Sequence, residues 1–76
     1  MATYSEDLRS RLRLLGDALR RERVAQGVSQ EQLAEMSGLH RTYVGAVERG
    51  ERNISVGSLY ILADALGVSA TELLSR

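Results

Sequence analysis

A chain of 76 residues makes one small folding unit over 1–76, because independent domains begin near 50 residues and this length does not allow two. Hydrophobic residues make up 43%, chiefly 12 Leu, 8 Ala and 6 Val, enough for one compact core and too few to wrap a large substrate. Ten acidic residues balance ten basic ones, all of them Arg, so net charge gives no overall pull toward nucleic acid and any such case rests on charge distribution. The absence of cysteine excludes disulfides and thiolate ligands, and the lone His40 cannot complete a zinc site, so neither metal nor cofactor is expected. No apolar run nears the roughly 20 residues needed to cross a bilayer, and MATYSEDL lacks the basic start and apolar stretch of a signal peptide. The expectation is a soluble cytoplasmic protein with no membrane partner.

In chain order, Ser5 is a candidate N-cap, with Glu6 and Asp7 near the positive helix end. Leu8, Leu12, Leu15 and Leu19 follow at i, i+4, i+7 and i+11, which predicts a first helix from about residue 6 to 26 with one apolar stripe. Gly16 lies inside it at a cost of about 1 kcal/mol against Ala and is expected to mark a late start or a bend. Arg9, Arg13, Arg20 and Arg23 fall within about 80° of helix surface beside the leucines, a solvated face with some long-range attraction to DNA. Ser29 and Gln32 form a capping box for a second helix over about 30–36, and a third runs over about 40–48. Ser55 caps a fourth over about 56–66, with Leu59, Leu62, Ala63 and Leu66 inward; Ser69 and Glu72 cap a last short helix carrying Leu73 and Leu74. Proline is absent, and Gly27, Gly38, Gly50 and Gly67 each follow a helix-forming stretch, so the fold class is all-α with five helices.

The second and third helices are separated by a three-residue break at Gly38, the layout of a helix-turn-helix over about 30–48. Ala34 falls where the two helices cross closely, Gly38 where positive φ is needed, and Leu33, Leu39, Val44 and Val47 supply a buried seam. From about Leu15 to Leu74 the sequence resembles the phage-repressor and Cro-like helix-turn-helix proteins. Within that family, SGLHRTYVGAVERGERNIS is most similar to the controller proteins of restriction-modification systems, which are dimeric transcription regulators. The resemblance implies a five-helix, lambda-repressor-like DNA-binding domain and a sequence-specific regulator that is not an enzyme. Its implied partners are a pseudo-palindromic double-stranded DNA operator, a second copy of the chain, and RNA polymerase. Related sequences serve as phage-type repressors or as antitoxins that autoregulate their operons, and both remain alternatives.

The resemblance makes the third helix the recognition helix, with Arg41, Thr42 and Tyr43 at its groove-facing start. Arg41 can pair bidentately with guanine O6 and N7, or be a solvated charge; Thr42 can offer a hydroxyl to a base or a methyl to thymine. Tyr43 either reaches DNA through its hydroxyl or is a half-buried core aromatic. Gly45 and Ala46 stand where relatives often carry polar base-reading groups, so Gly45 is either a close backbone approach to DNA or a tolerated exposed position. Gln30, His40, Arg49, Arg52 and Asn53 are the candidate phosphate contacts. Arg23 and Glu48 are implied to form a structural ion pair, with Arg23 also free to touch phosphate. Ile61, Leu73 and Leu74 are apolar groups that a monomer of this size would struggle to cover, which marks them for a dimer interface, although Leu73 could equally close the monomer core. No small-molecule substrate is expected, because no nucleophile is arranged around His40 and no phosphate-binding glycine loop occurs.

Overall fold

The computed structural model describes residues 4–75, in which five α-helices are the only regular elements. α1 runs Glu6–Ala25, α2 Gln30–Ser37, α3 Arg41–Glu48, α4 Val56–Leu66 and α5 Ala70–Leu74. Each begins where a side chain satisfies a first-turn amide left over by helix geometry. Ser5 accepts from the Leu8 N–H at 3.1 Å, and Ser29 and Ser69 form reciprocal capping boxes with Gln32 and Glu72. Ser55 accepts from Ser58 N–H at 3.0 Å. His40 caps α3, its Nδ1 accepting from Thr42 N–H at 3.1 Å, a role that residue type did not suggest in the sequence. α2 ends on Gly38 at φ 74°, a left-handed conformation that side-chain-bearing residues adopt at a cost.

α3 packs between α1 and α2, α4 lies against α2, and α5 bridges α1 and α4. The core gathers Ala18 and Leu19 of α1, Leu33 and Ala34 of α2, Val44 and Val47 of α3, and Leu59, Leu62, Ala63 and Leu66 of α4, closed below by Leu73. Leu33, Val44 and Leu62 are fully buried, so the stripes read from helical spacing do meet at one centre.

Gly16 neither delays nor bends α1, which runs unbroken across it. A Cβ at Gly16 would stand 2.3 Å from the Val47 carbonyl oxygen and 2.6 Å from that of Glu48. The missing side chain therefore lets the middle of α1 meet the C-terminal end of α3 backbone to backbone, a long-range reason that local propensity does not encode. Gln26, just past α1, adds a second tie by donating Nε2 to the Leu66 carbonyl at the end of α4, at 2.7 Å.

Candidate nucleic-acid interface

Between Ser37 and Arg41 the chain turns through Gly38, Leu39 and His40, and Leu39 packs partly buried against the core. This turn fixes which side of α3 faces inward. Val44 and Val47, three residues apart, are 0% and 2% exposed, so α3 is pinned along one side while Arg41 and Thr42 stand exposed at its start. Side chains at an exposed helix N-terminus on a convex surface can enter a groove about as wide as a helix, which is the geometry of major-groove reading.

The last turn of α3 is held very differently. Arg23 Nε donates to Glu48 Oε2 at 2.6 Å and Arg23 Nη2 to Glu48 Oε1 at 3.0 Å, a bidentate, charge-assisted pair between α1 and α3. The Glu48 hydrogen bond, outweighing the opposing effect of burial, drives the Arg23 guanidinium pKa further up, so its charge is permanent at any working pH. Arg23 Nη1 also donates to the Val28 carbonyl at 2.8 Å, and Gln30 Nε2 donates to Glu48 Oε1 at 3.0 Å. The end of α1, the start of α2 and the end of α3 thus meet at one carboxylate, and the α1–α2 loop is tied to them through Arg23.

That network changes the roles of two residues. Gln30 turns its amide nitrogen inward to Glu48 rather than leaving the whole side chain to a phosphate. Gly45, expected at the DNA surface, is buried instead: a Cβ there would lie 3.1 Å from Arg49 Nη1 and 3.6 Å from Gln30 Oε1. Its lack of a side chain makes room for Gln30 and Arg49 to lie across α3, so in the free protein these two side chains lie over its Cα face. Arg49 lies one turn on at the end of the same helix, whereas the part of the cover supplied by Gln30 comes from α2 and is not encoded in local spacing.

The loop after α3 carries the remaining cations. Arg49 is exposed and pairs with Glu51 at 3.1 Å, and Asn53 is exposed. Tyr43 is half-buried against the core, and the Arg52 guanidinium lies over its ring, 5.3 Å from the centroid. The stacked ring orients a cation beside the start of α3, an arrangement that nine residues of separation hid from the sequence. Three of the six arginines of α1 pair along their own helix, Arg9 with Glu6 at 3.9 Å, Arg11 with Asp7 at 3.1 Å and Arg21 with Asp17 at 2.7 Å, which dilutes their field.

Of the three residues expected at a subunit seam, Leu73 is corrected by the structure. It is 1% exposed and belongs to the core of its own chain, because α5 folds back over α1 and α4. Ile61 and Leu74 are exposed, and so are Val56 and Tyr60, a pair one helical turn apart on α4 that periodicity alone did not single out. Leu74 borders a shallow groove of about 270 Å³ with Leu12, Leu15, Val56 and Leu59 among its lining. Among the described residues, no helix is long and apolar enough to cross a membrane.

A buried inner side on α3, a glycine-centred turn and an exposed polar helix start define a helix-turn-helix protein. The helix-turn-helix family matches residues 19–73, and the chain belongs to that family. Among the proteins it is similar to, control protein C.SmaI of Serratia marcescens is 54% identical over 63 residues, which span 83% of this chain and 75% of C.SmaI. The crystal structure of the restriction-modification controller protein C.AhdI from Aeromonas hydrophila superposes with a TM-score of 0.83 at 50% identity, covering 84% of this chain and 97% of C.AhdI. The controller protein C.Esp1396I, solved as a tetramer in complex with its natural 35 base-pair operator, superposes with a TM-score of 0.78 at 32% identity, covering 86% of each chain.

Proposed function

We propose that this chain is a sequence-specific DNA-binding transcription regulator, the controller protein of a restriction-modification operon, acting as one helix-turn-helix domain without catalysing a reaction. The observation that carries the reading is the start of α3, where Arg41 and Thr42 are exposed while Val44 and Val47 anchor the same helix in the core. Its likeness to C.SmaI and C.AhdI supports the operon assignment, and the operator complex of C.Esp1396I supports DNA as the ligand.

In this reading Arg41 and Thr42 contact base edges and the Tyr43 hydroxyl reaches the groove rim. Gln30, His40, Arg49, Arg52 and Asn53 set the register on phosphates. Two copies join through the apolar surface that includes Ile61 and Leu74, extended by Val56 and Tyr60. An isologous dimer places its two recognition helices about 34 Å apart and selects a pseudo-palindrome with half-sites about 10 bp apart. RNA polymerase is the partner through which promoter occupancy is read out, and the cytoplasm is where protein and promoter meet.

The reading is tested by gel shift at fixed salt, using DNA from upstream of the chain's own gene. Arg41→Ala is expected to cost about 1–3 kcal/mol of discrimination against a scrambled duplex. Unchanged affinity and discrimination in that variant would overturn the assignment of α3 as the reading helix.

A further inference from the structure

Glu31 is the second residue of α2, where an acid is already accounted for by the positive end of the helix. The fold gives it a second neighbour. The turn at Gly38 returns the chain so that Arg41 Nε, ten residues on and in another helix, lies 3.6 Å from Glu31 Oε2. Among the ion pairs of the described residues, the others at the surface join groups no more than four residues apart. Among the described residues, two tie one helix to another around α3, the buried Arg23–Glu48 pair that fixes its end and the exposed Arg41–Glu31 pair at its start. The negative charge of Glu31 also favours the protonated Arg23 guanidinium, as the smallest contribution after the hydrogen bond and charge of Glu48.

A guanidinium presents two edges, one made of Nε with a terminal nitrogen and one made of both terminal nitrogens. A carboxylate on the Nε side leaves the terminal pair free, and that pair is a fork matching guanine O6 and N7. Arginine has many rotamers whose loss opposes binding, so a partner that favours one orientation before contact improves recognition. At 3.6 Å the contact is an ion pair rather than a hydrogen bond, which biases the side chain without locking it.

We propose that Glu31 is a positioning residue for base recognition, holding the Arg41 guanidinium by its Nε edge so that both terminal nitrogens face the groove. This rests on the reading of Arg41 as a base-contacting side chain. Glu31 then governs specificity through Arg41 and touches no base itself.

The test compares the wild-type chain with Glu31→Ala, Glu31→Gln, Arg41→Ala and the Glu31→Ala/Arg41→Ala double variant. Affinity is measured at one salt concentration for a duplex that the wild-type chain selects from a randomised pool and for a scrambled duplex of the same composition. The Glu31 side chain is 69% exposed, so its substitution leaves the fold intact, which thermal melts check. Arg41→Ala lowers the ratio of the two affinities about tenfold or more. Glu31→Ala lowers it about three- to fivefold, the effect of one well-oriented exposed pair. Glu31→Gln, which keeps an acceptor oxygen, falls between wild type and Glu31→Ala, and in the Arg41→Ala background removing Glu31 changes the ratio no further. If Glu31→Ala tightens both duplexes alike and leaves the ratio unchanged, Glu31 is only a charge repelling phosphates and the proposal is wrong. An equal loss in the Arg41→Ala background gives Glu31 a contact of its own and also overturns it. Failure of the underlying reading is recognised separately, by an unchanged ratio in the Arg41→Ala single variant or by the absence of any selected duplex.

Discussion

The two ends of α3 are built on opposite terms. At its last turn Glu48 is 7% exposed and receives hydrogen bonds from two residues in two other helices, and the neighbouring backbone presses against Gly16. At its first turn Arg41 and Thr42 project into solvent, with one loose ion pair and a histidine cap. The contrast teaches how so short a helix can be a probe. An eight-residue helix is marginal alone, so its direction must be supplied by tertiary contacts, and here they act on the end away from the presented side chains. Changes at the fixed end should therefore lower stability and binding together, whereas changes to the presented side chains Arg41 and Thr42 should alter recognition with little effect on the fold, and the His40 cap lies between these cases.

The largest effect is expected from Arg23→Ala. It leaves Glu48 buried without its cationic partner, and denaturant unfolding should report a loss of about 3–5 kcal/mol. A loss under 1 kcal/mol would show that α3 is not held by this pair. Next comes Gly16→Ala. Helix propensity alone favours this change by about 1 kcal/mol, yet the added methyl meets two backbone carbonyls that cannot swing aside. Net destabilisation of about 1–3 kcal/mol is expected from overpacking, and an increase in melting temperature would contradict the close α1–α3 approach.

His40→Ala probes the free end. It removes the cap on Thr42 N–H and should cost about 0.5–2 kcal/mol of stability, while also loosening the presentation of Arg41 and Thr42. Smallest in the monomer is Ile61→Ser combined with Leu74→Ser, both at exposed positions, which should leave the unfolding curve of the isolated chain within about 0.5 kcal/mol. The same pair of changes should shift sedimentation toward the monomer and weaken operator binding, and an unaltered dimer would remove this face from the proposed seam.

Much of the fold was legible because its signals are local. Ser29 with Gln32 and Ser69 with Glu72 announce helix starts within four residues, Gly38 announces a turn, and the 3.6-residue spacing of Leu33, Val44 and Leu62 with their neighbours identifies the core. The Arg23–Glu48 pair was expected only through family resemblance, since 25 residues separate the partners. What stayed hidden depends on which helix covers which. Gly16 and Gly45 carry the same propensity penalty in the sequence, and only the fold shows that one admits the end of α3 and the other admits Gln30 and Arg49. Leu73 and Leu74 are adjacent and chemically identical, and the direction in which α5 folds back decides that one is core and the other surface.

The central claim, that the free end of α3 reads base edges in the major groove, is tested most directly by dimethyl sulfate footprinting of the bound upstream DNA, because this reagent attacks guanine N7. Wild-type protein should protect a guanine in each half-site, and Arg41→Ala, at a concentration restoring full occupancy, should leave those guanines reactive. Protection that persists in the variant, or occupancy with no guanine protected by the wild type, would contradict the account.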